Sequence, residues 1–174
     1  MSWLPLATAA EGATPLDRVF GLRPDLYASY REFVALFWER RLLDPALLEL
    51  CRLLVARLHG CRSELALRHR PALEAGLTEA KVEALGGGDE SAFDAAERAC
   101  LRFAEMFVRD PHAIRDEDAA AVTAQLGEPG LVALAEALAI FDGFCRFRLI
   151  LGVEPGGDAA RPVDAPAPGD ASAH

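Results

Sequence analysis

The stretch DPALLELCRLLVARLHGCRSELALRH, residues 44–69, decides the fold. Asp44 can cap a helix and Pro45 suits its first turn, so a helix should begin here. Leucine, cysteine and valine then recur at steps of three or four residues, which is the spacing of one apolar helix face. Gly60 interrupts this pattern. The segment therefore predicts a helix that ends at the glycine.

A second helix is expected from Cys61 toward Leu73, and Pro71 should end or kink it. On one continuous helix, Glu64 and Arg68 follow Cys61 at steps of three and four residues, so all three share a face. Cys61 would open this helix, where backbone N–H groups and the helix dipole stabilise a thiolate and lower its pKa.

Five further stretches carry helical patterns: 24–39, 78–85, 93–107, 116–126 and 131–151. The last is apolar on almost every face, so we expect it to be buried centrally, in the core or in a subunit interface. No alternating strand pattern is visible. We therefore predict an all-α helical bundle.

The chain organisation is that of one domain. A length of 174 residues, 52% of them hydrophobic, is enough to bury a sizeable core. Residues 15–153 form the predicted helical domain, and residues 1–14 are only weakly specified. Residues 154–174 are rich in Pro, Gly, Ala and Asp without apolar periodicity, so we expect a disordered tail.

Charge and hydropathy exclude two kinds of partner. The formal net charge is -9 and the basic residues are scattered, so no nucleic-acid partner is expected. Charged residues interrupt the richest apolar stretch, 131–151, so no membrane span is expected either. The N-terminus lacks the basic region of a secretory signal, and we expect a cytoplasmic protein.

Cysteine usage indicates free thiols. Cys51, Cys61, Cys100 and Cys145 lie far apart in a chain without an export signal, so we expect them to be reduced. All except Cys61 fit apolar helix faces and should be buried. No His/Cys cluster has ligand spacing, and no glycine-rich phosphate loop is present, so we predict no metal and no cofactor.

Glu49, Cys61, Glu64 and Arg68 follow one another at spacings of twelve, three and four residues, and this pattern resembles the motif of the carboxymuconolactone decarboxylase / alkyl hydroperoxidase D family. In the family motif a cysteine follows a glutamate by twelve residues, a second residue comes three further on, and a histidine four beyond that. Glu49, Cys61, Glu64 and Arg68 occupy these positions. The segments GLTEAKVEAL, AAERACLRFAEMFVRDPHAIRDE and ALAIFDGFCRFRLILGVEP also resemble the family, which extends the resemblance to roughly residues 15–155. It implies an all-α fold of about six or seven helices, assembled as trimers or hexamers.

Two departures from the motif bear on function. In the peroxidase branch of the family, one thiolate of a C-x-x-C pair attacks peroxide and the second cysteine resolves the sulfenic acid, with the glutamate and histidine relaying protons. Here Glu64 replaces the second cysteine, so Cys61 would need an external thiol or a distant cysteine. Arg68 replaces the histidine, and His69 follows one residue late. The decarboxylase branch relies on acid–base groups, but it too keeps the histidine.

Three functions stay open on the sequence. The first is an antioxidant peroxidase or thiol redox protein in which the Cys61 thiolate attacks peroxide and Glu49 relays protons. The second is a decarboxylase- or lactonase-like enzyme, in which Arg68 binds the carboxylate of a small metabolite and Glu49 or Glu64 acts as general base. The third is a non-catalytic oligomeric or binding protein, in which Glu64 and Arg68 form a structural helical ion pair.

Each residue also has a purely structural interpretation. Cys61 fits a small apolar residue at a helix junction, and Glu49 fits an exposed acid on a helix surface. His69 reaches the site if the helix is rotated or kinked at Pro71, but a surface position is favoured. The candidate catalytic residues are Glu49, Cys61, Glu64, Arg68 and His69.

Overall fold

The computed structural model describes residues 15–39, 42–87, 90–153 and 160–164. In these residues the fold is all-α, as predicted, with eight α-helices where about six or seven were expected. A short helix at Pro15–Phe20 was not predicted, two very short helices replace the one expected after Gly60, and the two helices expected between residues 116 and 151 are joined into one. The helices are α1 Pro15–Phe20, α2 Pro24–Glu39, α3 Pro45–His59, α4 Arg62–Leu65, α5 Arg70–Glu74, α6 Glu79–Ala84, α7 Ala95–Arg109 and α8 Asp116–Leu151.

Helix α3 lies at the centre of the bundle and packs against α7 and α8. The Asp44 side chain accepts hydrogen bonds from the backbone N–H groups of Ala46 and Leu47, which caps the first turn. Gly60 ends the helix with φ 64°, a left-handed conformation that glycine adopts without strain. Eleven of the 15 residues of α3 are buried. The predicted start and end of this helix are confirmed.

Helix α8 is less buried than expected. Gly127, with φ 72°, separates two helical halves, in agreement with the two helices predicted here. In the second half, Leu134 and Leu138 are fully buried, whereas Val132 and Ile150 are 69% and 65% exposed. The expectation of all-round central burial is therefore wrong for the single chain, because this half turns only one side toward the core.

A pair of short parallel strands was not predicted. β1, Leu67–His69, pairs with β2, Arg161–Val163, and His69 lies opposite Val163. Strands of three residues are too short to show the alternation by which strands are recognised in a sequence. The expected disorder of the tail therefore does not hold for residues 160–164. The rest of that tail and residues 1–14 lie outside the described residues.

None of the helices in the described ranges is long and apolar enough to cross a membrane. Among the same residues, no group of three or more His, Cys, Asp and Glu side chains could hold a metal ion.

Candidate functional site

The single helix expected to carry Cys61, Glu64 and Arg68 stops after about one turn. The chain leaves α4, runs extended as β1, and enters α5 with Pro71 in the first turn. A continuous helix through Pro71 would lose a backbone hydrogen bond and would clash with the preceding turn. The three side chains therefore do not share one helix face, and that prediction is wrong.

Arg52, on α3, organises the interior beside this break. Its Nε and Nη2 each donate to the Glu49 carboxylate at 2.8 Å, and its Nη1 donates to the Glu64 carboxylate at 2.8 Å. The remaining N–H groups donate to the backbone carbonyls of Glu64 at 2.9 Å and Leu67 at 3.0 Å. The break after α4 leaves such carbonyls without helical partners. All five N–H groups of this buried guanidinium are thus satisfied.

Glu49 is fully buried, so its interpretation as a surface acid is wrong. Besides Arg52, its carboxylate accepts hydrogen bonds from the backbone N–H of His69 at 3.1 Å and from the His69 ring Nδ1 at 3.0 Å. Burial alone would raise the pKa of Glu49. The charge of Arg52 and the hydrogen bonds from Arg52 and His69 outweigh burial and hold that pKa well below its usual range.

His69 is buried rather than placed on the surface, which corrects the favoured expectation. Because β1 is extended, the ring of His69 turns inward toward Glu49 in place of the missing motif histidine. Its other contact is with the ring of Trp38 on α2, which stacks on it with the centroids 4.3 Å apart. The histidine one residue late therefore still reaches the motif glutamate.

Glu64 lies between two arginines. Its Oε2 accepts the hydrogen bond from Arg52, and its Oε1 is 2.7 Å from Nε of Arg148 on α8. The latter is an ionic contact without a well-aligned hydrogen bond. The Arg148 guanidinium also lies over the Phe144 ring, 5.0 Å from its centroid. Glu64 thus ties α8 to α3, and the expected Glu64–Arg68 ion pair is wrong.

Arg68 is held on the other side of β1. Its Nε and Nη2 donate to the Glu79 carboxylate at 2.9 and 3.0 Å. Its Nη1 donates to the backbone carbonyls of Leu65 and Leu67, both at 2.7 Å. Four of its five N–H groups are therefore already engaged, and no bidentate face is left for a substrate carboxylate.

Cys61 precedes α4, and its side chain is fully buried. Its sulfur forms hydrogen bonds with the thiol of Cys145 on α8, with the Ser63 hydroxyl at 3.4 Å and with the backbone N–H of Glu64. The hydrogen bond with Cys145 and those from Ser63 and Glu64 outweigh burial and lower the pKa of Cys61 to about 6.

The pKa values of the two thiols in this pair are shifted in opposite directions. The hydrogen bond to Cys61 and burial raise the pKa of Cys145, so the Cys145 thiol stays protonated and donates to the Cys61 thiolate. The proton leaves Cys61 because that sulfur also accepts from Ser63 and Glu64. A depressed pKa of Cys61 was expected from the helix dipole, but α4 has only four residues. The specific hydrogen-bond donors replace the dipole as its cause.

The predicted site residues therefore lie in three separate places in the structure. Arg52 joins Glu49 and Glu64, and Glu49 joins His69; Cys61 contacts Cys145 and Ser63; Arg68 lies apart on Glu79. Residues that were not predicted for the site are Arg52, Ser63, Cys145 and Arg148.

Some of these missed residues left a signal in the sequence. Arg52 is a charge three residues after Glu49 within an apolar stretch, and such a charge needs a buried partner. Arg148 similarly interrupts the apolar stretch 131–151. Burial of Cys145 was correctly predicted. Its contact with Cys61, far away in the sequence, depends on how α8 packs.

The model of the carboxymuconolactone decarboxylase family matches residues 24–106. The matched segment runs from α2 into α7 and includes all five predicted site residues, which confirms the family resemblance. A comparison with curated proteins gives no match.

Proposed function

Since residues 24–106 belong to the carboxymuconolactone decarboxylase family, we propose that the protein is a thiol-dependent redox protein of the alkyl hydroperoxidase D type, in which Cys61 reduces peroxides. The observation that carries this proposal is the polar surroundings of the buried Cys61 sulfur: it lies 3.4 Å from the Ser63 hydroxyl, and hydrogen bonding with Cys145, Ser63 and the Glu64 backbone lowers its pKa. Thiolates, not thiols, are the nucleophiles of cysteine chemistry, so a pKa of about 6 makes Cys61 reactive at neutral pH.

The reaction begins with attack of the Cys61 thiolate on one oxygen of a hydroperoxide, ROOH. A sulfur–oxygen bond forms, the oxygen–oxygen bond breaks, and the departing alkoxide takes a proton from water to become the alcohol ROH. Cys61 is oxidised to the sulfenic acid and the peroxide is reduced. Because the side chain is fully buried, the peroxide reaches it through local opening around α4.

The charged cluster beside Cys61 has a positioning role in this proposal. The Glu49 carboxylate accepts four hydrogen bonds, two at each oxygen, and its lowered pKa makes it a weak base. This argues against the proton relay expected for Glu49. Arg52 instead holds the backbone at the end of α4, and so orients the segment that begins with Cys61.

The acid–base alternative has less support. It needs Arg68 to bind a substrate carboxylate and Glu49 or Glu64 to accept a proton. The Arg68 guanidinium is engaged by Glu79 and two carbonyls, and both glutamates are paired with Arg52. Thiol chemistry at Cys61 is therefore the better supported function.

Two further properties belong to the proposal. The four buried free thiols suit a reducing compartment, so we place the protein in the cytoplasm. We also propose a homo-oligomer, a trimer or hexamer as the family resemblance implies, because Val132 and Ile150 of α8 are exposed apolar side chains in the single chain. A monomeric mass in light scattering would contradict this assembly.

The test of function is peroxide consumption by the full chain with dithiothreitol as reductant, using hydrogen peroxide and an organic hydroperoxide. We expect consumption above the background of the reductant, and trapping of a sulfenic acid on Cys61 by a dimedone-type reagent. Both should disappear in Cys61→Ser and persist in Cys51→Ser, a buried thiol on α3. Consumption that is unchanged in Cys61→Ser, or absent in the wild-type protein, would refute the proposal.

A further inference from the structure

The contact between Cys61 and Cys145 has a consequence for the fate of the oxidised thiol. The two residues are far apart in the sequence, but two contacts hold α8 beside the segment that carries Cys61: His59 Nε2 lies 2.6 Å from Asp142 Oδ1, and Glu64 Oε1 lies 2.7 Å from Arg148 Nε. Cys145 lies between Asp142 and Arg148 on α8, three residues from each, and this places its thiol next to the Cys61 sulfur, with which it forms a hydrogen bond. Both side chains are buried, Cys61 completely and Cys145 at 2% exposure. A sulfenic acid formed on Cys61 would therefore meet Cys145 before any thiol from solution.

The chain departs from the C-x-x-C motif at this point. Glu64 stands where the motif has its second cysteine, and its carboxylate is held between Arg52 and Arg148. No thiol is therefore available within α4. Cys145 approaches Cys61 from a different helix, outside the segment that matches the family model.

We propose that Cys145 is the resolving thiol, which condenses with oxidised Cys61 to form a disulfide between α8 and the residue that precedes α4. This inference rests on the proposed function, because it needs the sulfenic acid on Cys61. A sulfur–sulfur bond forms, the sulfenic oxygen leaves, and the thiol proton of Cys145 goes to it to give water. An external dithiol then reduces the disulfide and restores both thiols.

The other buried thiols are not placed for this reaction. Cys51 interacts electrostatically with Cys100. The polar contacts of the Cys61 sulfur are with Cys145, Ser63 and the Glu64 backbone. Cys100, on α7, is therefore a matched control for Cys145: a buried cysteine on a neighbouring helix that the proposal does not use.

The test is peptide mapping of the full chain after one equivalent of hydrogen peroxide and alkylation of the remaining thiols. Trypsin should release residues 58–62, LHGCR, linked to residues 116–146, which contain Cys145. We expect this linked pair as the main oxidised product in the wild-type protein and in Cys100→Ala. It should be absent in both Cys145→Ala and Cys145→Ser. In Cys145→Ser, whose hydroxyl can still donate to the Cys61 thiolate, the sulfenic acid on Cys61 should persist and oxidise further to the sulfinic acid.

The possible outcomes separate the two proposals. Sulfenic acid on wild-type Cys61 that never yields the linked peptides would overturn the role of Cys145 and leave the peroxide chemistry standing. No oxidation of Cys61 in either the wild-type protein or Cys145→Ser would overturn both. The wild-type peptide map does not depend on a variant, so the proposal is decided even if Cys145→Ala folds poorly. Cys145→Ser, which keeps nearly the same volume, is the second variant.

Discussion

Glu49 and His69 lie 20 residues apart in the sequence, and the Glu49 carboxylate accepts hydrogen bonds from both the backbone and the ring of His69. Because the lowered pKa keeps Glu49 ionised, the ring Nδ1 of His69 carries the proton in this contact. The same carboxylate pairs with Arg52, so one buried group connects α3 to β1. The interior beside Cys61 therefore depends on Glu49.

Removal of the Glu49 charge should destabilise the protein strongly. Glu49→Gln leaves the buried Arg52 partly unpaired, which typically costs about 3–5 kcal/mol. Glu105→Gln is the matched control, since Glu105 and Arg109 form an ion pair whose side chains are 51% and 64% exposed, and its loss should cost less than about 1 kcal/mol. Urea unfolding of the two variants measures the difference. Equal losses would show that the buried cluster contributes no more than a surface pair.

Acid should remove this stabilisation. The pKa of Glu49 in the folded state lies below its ordinary value of 4.5, so its contribution is complete above that pH and is lost as the pH falls below it. A single such group changes the free energy of unfolding by up to about 1.4 kcal/mol per pH unit. The free energy of unfolding should be measured between pH 6 and pH 3, about one to two units on either side of this pKa. It should fall more steeply with decreasing pH in the wild-type protein than in Glu49→Gln. Parallel curves would contradict the account.

The Ser63 hydroxyl should contribute to the acidity of Cys61. In Ser63→Ala the thiolate loses one hydrogen-bond donor, and a hydrogen bond to a charged group is worth roughly 1.5–3 kcal/mol. The pKa of Cys61 should therefore rise by about 1 or more. Titration of thiolate absorbance in Ser63→Ala, against Ser63→Thr as the variant that keeps the hydroxyl, measures the change. An unaltered pKa in the alanine variant would mean that Ser63 does not donate to the thiolate.

Two glycines should respond in opposite ways to alanine. Gly60 has φ 64°, so Gly60→Ala strains the backbone and should cost about 1 kcal/mol, although no atom lies within 4 Å of the added methyl group. Gly143 lies inside α8 with open space around it, so Gly143→Ala should stabilise the protein by about 0.5–1 kcal/mol. Thermal unfolding of both variants tests this. Stabilisation by Gly60→Ala would contradict the left-handed cap.

Much of the fold could be predicted from local signals. The start of α3 at Pro45 and its end at Gly60 depend on Asp44 and on the glycine themselves, and so they could be recognised in the sequence. The break after α4 could be recognised only in part. Pro71 suggested a kink, but the extended course of β1 depends on Arg52 binding the carbonyls of Glu64 and Leu67.

Site residues could be predicted where the motif spacing identifies them. The prediction failed where the contacts of a residue depend on tertiary packing. Glu49 and Cys61 were identified by spacing, whereas Arg68 was assigned to the wrong partner because its helix was assumed to continue. Burial of Cys145 followed from its apolar surroundings in the sequence. Its contact with Cys61 could not be predicted, because it depends on the packing of α8 against α3.

The most direct test of the account is the pKa of the Cys61 thiol, measured as the ultraviolet thiolate absorbance of the wild-type protein minus that of Cys61→Ser across the pH range. This measurement needs no reagent to enter the buried site. We expect a midpoint near pH 6, with the thiolate formed at neutral pH. A midpoint at or above the ordinary cysteine value of 9.0 would contradict it, because Cys61 would then be a buried, unreactive thiol.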